Sequence, residues 1–312
     1  MGRIAIPEMV QAGYRPSFAC GSIAAGGTIG ALIPPSILMI VYGVFAETSI
    51  TQVFMGGIAI GVLTAIGYSV VVLLTCWLRP DIAPRATIGS EETGVREAIV
   101  GVWPALVLIL LVFGGLFSGI FTATEAGAVG ALGAIVISAV TGKLTRKVAY
   151  DSLLETLMTA ASLFIIGIGA AMFTRFLGIT GLSSFIASTV SGSEIGYYQM
   201  MLIIVVIYFI LGMFMEPFGA LLITLPVFLP LLDAADVSLI WFGVLVVKLL
   251  EIGMITPPVG LNVFVIRNVA SDYASVTQIF RGVTTFLIAD FVIVAIVIIF
   301  PQIVMVLPNA LN

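Results

Sequence analysis

Apolar positions along this chain gather into long uncharged runs. They extend over Pro16–Ala46, Thr48–Leu78, Ala98–Thr124, Thr156–Thr174 and Phe291–Asn312. Each run approaches or exceeds the roughly 20 residues a helix needs to cross a bilayer. The single-residue alternation of a membrane β-barrel is absent. The pattern predicts an all-α polytopic membrane protein. A short amphipathic segment over 1–18 leads to a helix over 18–45 and another over 52–78. A charged loop over 79–97 precedes spans over 98–117 and 125–141. The stretch from Lys143 to Glu155 fits the membrane interface, and Thr156–Thr174 follows it as a span.

Two apolar runs contain residues that break a helix. Glu251–Asn262 reads EIGMITPPVGLN. Proline there removes backbone donors, and lipid has no water for the freed carbonyls, so such a break persists only inside protein or beside a watery cavity. Gly26–Leu38, reading GGTIGALIPPSIL, carries the same break. At an offset of 223, Gly30, Pro34, Pro35 and Leu38 match Gly253, Pro257, Pro258 and Leu261. TQVFMG at 51–56 returns three residues further on as TQIFRG at 277–282, and IAIP at 4–7 returns more loosely as ITLP at 223–226.

In the second copy, ITLP follows an apolar run, Met200–Phe214, and the polar break MEPFG at 215–219. Arms of about 15 residues on either side are too short to cross, which predicts a re-entrant hairpin with its tip at Glu216 and Pro217. The first copy shows only the second arm, so its first arm and tip are expected before Met1. Lysine and arginine concentrate in cytoplasmic loops. Placing Arg3, Arg15, Arg79, Arg85, Arg96, Lys143, Arg146 and Lys147 inside gives one consistent topology, with Arg267 and Arg281 on the same side. The two broken helices then run in opposite directions, as in an inverted-topology repeat.

Composition narrows the function. Of 312 residues, 61% are hydrophobic and 9% charged, against about a quarter charged in soluble domains. With no histidine, a Ser/His triad, a His-based zinc site and a His proton relay are excluded. Cys20 and Cys76 have neither metal nor redox spacing. The net charge of −4 is spread over loops and offers nucleic acid no surface. No GxxxxGK[ST] loop points to ATP. No segment gathers a nucleophile, a base and an orienting group, so an enzyme is not expected, nor any cofactor beyond coupling ions.

The breaks themselves are the candidate site. Unwound carbonyls and helix C-terminal ends suit a hard cation such as sodium, whereas helix N-termini suit a substrate carboxylate. The metal candidates are Glu216, Pro217, Gly253, Thr256 and Pro257, with a pseudo-symmetric set at Gly27, Thr28, Gly30 and Pro34. Thr224 and Asn262 are substrate-binding candidates. The competing reading is a pair of proline kinks that only shape the bundle. Glu251 is either functional, as acids at membrane depth are by default, or paired with Lys248 on the same helix face. Glu125 in TATEAG is expected to cap a helix. Asp290 is expected at the interface, and Arg175 at a helix end.

MGRIAIPEM, GGTIGALIPPSILMIVYG, SGIFTATEAGAVGA, GMFMEPFGALLITLPVFLP and EIGMITPPVGLNVFV together resemble the DctM-type large membrane subunit of tripartite ATP-independent periplasmic (TRAP) transporters, over essentially the whole chain. The resemblance implies an elevator-type transporter of the bacterial inner membrane, coupled to sodium. It would work with a small DctQ-type membrane subunit and a periplasmic DctP-type binding protein, and import organic acids such as C4-dicarboxylates or sialic acid. It also implies sodium sites at hairpin tips and helix breaks. The family's large subunit begins with further helices and a first hairpin tip, so this chain reads as lacking an N-terminal part. Glu216 stands where the family more usually has Asp. The expected division is a remnant of the first transport repeat over 1–51, scaffold and arm helices over 52–156, the second repeat over 157–283 (hairpin 200–232, broken helix 237–268) and a scaffold helix over 284–312. A stand-alone inverted-repeat carrier and a non-transporting assembly subunit are the alternatives.

Overall fold

The computed structural model describes residues 2–83, 95–191 and 196–310, and every regular element among them is a helix. The loop expected over 79–97 falls largely outside these residues, Arg85 included. The chain divides into two compact units, Met1–Ala86 with Ile168–Asn312, and Thr87–Gly167.

The first unit begins with α1 (Gly2–Gln11), α2 (Pro16–Leu32), α3 (Ile37–Phe45) and α4 (Ile50–Leu78). The second holds α5 (Val95–Phe117), α6 (Ala123–Val140) and the start of α7 (Arg146–Thr180). The first unit resumes with the end of α7, then α8 (Leu182–Ser191), α9 (Tyr197–Phe214), α10 (Pro217–Ala234), α11 (Leu239–Ile255), α12 (Leu261–Val269), α13 (Val276–Ile299) and α14 (Gln302–Ala310). By length and composition α4, α7, α9, α10 and α13 can each cross a membrane, and α2 with α3 form one further span bent by 41°.

Local chemistry sets the boundaries. Pro16 opens α2, where its missing N–H costs nothing. Ser49 caps α4 by accepting from the Gln52 N–H, and Ser275 caps α13 by accepting from the Gln278 N–H. These serines stand two residues before the two copies of the TQ-F-G motif. The copies agree at their ends: an offset of 223 carries the end of α2 at Leu32 onto the end of α11 at Ile255. An offset of 226 carries the start of α4 at Ile50 onto the start of α13 at Val276.

Packing follows the same duplication. α2 packs on α4, α11, α12 and α13; its counterpart α11 packs on α13, α2, α3 and α4. The α2–α13 crossing is set by Gly21 and Gly282, whose backbones touch. At the equivalent α11–α4 crossing, Gly56 receives Val244, and a Cβ on Gly56 would lie 2.8 Å from the valine methyl. Small residues admit such approaches, which drive helix association in lipid, where apolar burial contributes little.

Two elements differ from the sequence expectation. The arm predicted as an interfacial stretch and the span after it form one continuous helix, α7, of 35 residues. The hairpin arms α9 and α10 have 18 residues each, about 27 Å of helix, so length no longer separates a re-entrant pair from two spans. Pro226 and Pro230 lie inside α10 without ending it. Pro230 cannot donate to the carbonyl of Pro226, and the Ser183 hydroxyl of α8 donates to that carbonyl instead, at 3.0 Å.

In the second unit α5 packs on α6. Thr122 and Glu125 form a reciprocal capping box at the start of α6, as expected for TATEAG: the Thr122 N–H donates to the Glu125 carboxylate at 2.8 Å, and the Glu125 N–H donates to the Thr122 hydroxyl at 3.3 Å. Thr122→Ala is expected to cost this helix start about 1 kcal/mol. Amide exchange in micelles should quicken in the first turn of α6 alone, and Thr122→Asn should restore protection.

Candidate functional site

Both breaks follow from the same deletion of donors. Pro34 and Pro35 cannot donate to the carbonyls of Gly30 and Ala31, nor Pro257 and Pro258 to those of Gly253 and Met254. Ile33 N–H still closes on Ile29, and Thr256 N–H turns back to Gly253 at 3.1 Å. Both Pro–Pro bonds are cis. The chain re-enters helix at α3 through Ser36, whose hydroxyl accepts from the Met39 N–H, and at α12 through Gly260 in the left-handed region at φ 58°. A Cβ on Gly260 would lie 2.7 Å from the Phe280 ring, which would have to shift, and the left-handed backbone itself favours glycine. α2 packs on α11 and α12, and α11 packs on α2 and α3, so the two broken helices pack on one another.

The turn between α9 and α10 and the second break lie close together. Gly212 of α9 and Gly253 of α11 meet backbone to backbone: a Cβ on Gly253 would lie 2.5 Å from the Gly212 Cα. Gly212 is four residues before Glu216 and Gly253 three before Thr256, which puts both features about one helical turn from the contact.

The individual candidates are placed as follows. Glu216 is exposed and caps α10, accepting from the Gly219 N–H at 3.2 Å, while Pro217 is buried at the first helical position. Thr256 is buried and its hydroxyl donates to the Ile252 carbonyl at 2.6 Å; Pro257 is exposed. Around the first break, Thr28 faces the core and donates to Ala25 at 2.8 Å, Pro34 is buried, and Gly27 and Gly30 lie on an open face with no neighbour within 4 Å. Thr28 and Thr256 do not occupy equivalent places, because the repeat aligns Thr28 with Glu251 and Thr256 with Ile33. Thr224 is buried with its hydroxyl 2.6 Å from that of Tyr208, whereas Asn262 is half-buried in the first turn of α12.

A buried ionic cluster at the crossing was not anticipated in full. Asp290 was expected at the interface, but it is fully buried in α13 because it pairs with Lys248 of α11, itself fully buried. Lys248 therefore does not pair with Glu251. The second Asp290 oxygen accepts from the Tyr68 hydroxyl of α4 at 2.8 Å, and Tyr68 lies 3.4 Å from the Thr28 hydroxyl of α2. The Lys248 ammonium stands 5.6 Å from the centre of the Tyr68 ring. Glu251, 1% exposed, has neither oxygen hydrogen-bonded. The repeat places Ala25, Thr28 and Thr64 at the positions equivalent to Lys248, Glu251 and Asp290. One copy is charged where the other is neutral. Two acids and a lysine in uncharged surroundings were the available signal, since a buried charge needs a partner. Arg175 is exposed within α7, five residues before its end.

A duplicated pair of interrupted helices in a multi-pass helical membrane protein is the architecture of a secondary transporter. Residues 1–303 match the family model described as "Tripartite ATP-independent periplasmic transporter, DctM component", and the chain belongs to that family. It is 34% identical over 314 residues to a C4-dicarboxylate TRAP transporter large permease protein DctM of Pseudomonas aeruginosa, covering all of this chain and 72% of that one. It is 32% identical over 315 residues to a sialic acid TRAP transporter large permease protein SiaM of Vibrio cholerae, covering 99% of this chain and 71% of that one. Against an isethionate TRAP transporter permease protein DctMQ of Oleidesulfovibrio alaskensis the identity is 34% over 275 residues, 87% of this chain and 42% of the other.

Proposed function

We propose that this chain is the permease subunit of a sodium-coupled secondary transporter that imports organic acids across the bacterial inner membrane. It would receive its substrate from a periplasmic binding protein and work beside a small membrane subunit. The observation that carries the reading is the duplicated break in two helix pairs that pack on one another, each break depriving carbonyls of the preceding turn of their helical donors. Such carbonyls and C-terminal ends supply the oxygen ligands a sodium ion takes, and the N-termini of α3 and α12 face the opposite way in charge, toward an acid. Ser36 and Asn262 stand at those N-termini; Gly30, Gly253, Met254 and Thr256 supply oxygens at the other ends.

In this reading the two repeats form an inverted pair over 1–51 and 157–283. The hairpin α9–α10 and the broken helices move as a body against the scaffold, carrying the ions and the acid together. The match in helix ends and packing partners between copies supports the repeat. C4-dicarboxylate and sialic acid, named for two of the relatives, share a carboxylate, and that is the substrate class proposed.

Thr256→Val, reconstituted in liposomes with the small subunit and binding protein, is expected to lower sodium-driven uptake at least about tenfold, as loss of one ligand oxygen from a pre-formed site would. Thr256→Ser should retain most of it. An unchanged sodium dependence in the valine variant would remove Thr256 from the ion site.

A further inference from the structure

Lys248 of α11 is wholly buried, and so is the Asp290 side chain of α13 that pairs with it. Both carboxylate oxygens of Asp290 are engaged: one takes the ammonium, and the other accepts from the Tyr68 hydroxyl of α4 at 2.8 Å. The ammonium also stands over the Tyr68 ring, 5.6 Å from its centre, where the face of the ring attracts a cation. Glu251, about one turn further along α11, brings a second buried acid to the same helix face, with no partner for either oxygen. These groups come from the interiors of α4, α11 and α13, and all of them are buried. In the repeat, lysine and acids come as a set. Ala25 stands at the position of Lys248, and Thr28 and Thr64 at those of Glu251 and Asp290. Where the acids are missing, the cation is missing too.

We propose that these side chains form a binding site for a small monovalent cation of the primary-ammonium class, which the chain fills with its own lysine. A carboxylate buried as deeply as Asp290 needs a cation beside it. An ammonium on a tether has a high effective concentration there and keeps free ions out. A primary ammonium suits the site better than a bare metal ion. It donates to a carboxylate and lies over an aromatic face, whereas a hard metal ion calls for a full shell of oxygens. Lys248 thus neutralises Asp290 permanently. The α11–α13 crossing then draws no coupling ion from solution, a consequence that rests on the sodium-coupled reading above.

Lys248→Ala removes the side chain beyond Cβ, a fragment that propylammonium matches. In micelles with choline chloride, this variant should melt about 10 °C below the wild type. Replacing choline by propylammonium at constant ionic strength should raise its midpoint, by an equal increment for each tenfold rise once the site is mostly filled. The wild type, its site already occupied, should not respond. K248A/D290A should lose most of the response, and uncharged 1-propanol should not raise the midpoint of K248A. Should K248A not fold alone, the comparison is read as the yield of folded protein on insertion into nanodiscs with and without propylammonium. No gain from propylammonium by either measure overturns the proposal, and so does an equal gain in the wild type. Sodium in place of choline separates the proposal from the sodium-coupled reading. Stabilisation of the wild type by sodium should persist in K248M/D290L, and its loss there would place a coupling ion in this cluster and overturn the proposal. A wild type that sodium does not stabilise would count against the sodium-coupled reading, while the propylammonium result decides the site by itself.

Discussion

Asp290→Ala is expected to destabilise the chain by about 3 kcal/mol, and Asp290→Leu combined with Lys248→Met to leave it as stable as the wild type or more so. Removing the aspartate strands the Lys248 ammonium, which is fully buried. Replacing both partners with apolar groups of similar volume removes the desolvation cost along with the attraction. Glu251 limits the damage. It lies three residues from Lys248 on the same helix face and has no hydrogen bond of its own, so among the described residues it is the acid placed to accept the stranded lysine. Asp290→Ala with Glu251→Gln should therefore cost about 5 kcal/mol, the upper end for a broken buried pair. Equilibrium unfolding in mixed micelles reads all four proteins. A single Asp290→Ala variant within about 1 kcal/mol of wild type would mean that Lys248 is already solvated.

This cluster marks the limit of what the sequence disclosed. The breaks, their duplication and the cap in TATEAG were legible because each rests on one residue acting on its neighbours. Pro34, Pro35, Pro257 and Pro258 lack an N–H wherever they stand, and Thr122 accepts from the Glu125 N–H three residues on. Asp290 was misplaced because its surroundings come from elsewhere in the chain. Nine residues separate it from Arg281, about 13 Å of helix, and that depth reaches well past the headgroups. Its partners, Lys248 and Tyr68, are 42 and 222 residues away in sequence. The repeat carried a further clue. Thr28 and Thr64 align with Glu251 and Asp290, so charge enters only one copy, and the pseudo-symmetric crossing is electrostatically one-sided. The hairpin arms are longer than the apolar runs because Tyr197–Gln199 join α9 through a local cap, the Gly196 N–H donating to the Gln199 side chain at 3.1 Å, and Asp233 and Ala234 extend α10.

Gly253→Ala is the second large effect to expect, with a loss of about 2–3 kcal/mol, typical of strong overpacking. The added methyl would lie 2.5 Å from both the Cα and the carbonyl carbon of Gly212. Both obstacles are backbone, so no side chain can rotate out of the way, and α9 must separate from α11. Gly282→Ala meets the Ser17 carbonyl at the α2–α13 crossing and should cost as much, while Gly127→Ala, with nothing within 4 Å of its added carbon, should melt with the wild type or slightly above it. The two damaging variants should nevertheless part in function. Gly253 joins α11 to the hairpin about one turn from both the tip and the break, so the folded fraction of Gly253→Ala should also lose sodium-driven uptake. Gly282 meets α2 at its first turn, far along the helix from Pro34, and the folded fraction of Gly282→Ala should transport nearly normally. Melting temperature and uptake per folded molecule, measured together, separate the two. If both variants lose uptake equally per folded molecule, the Gly212–Gly253 contact has no special tie to the ion site and is one packing contact among several.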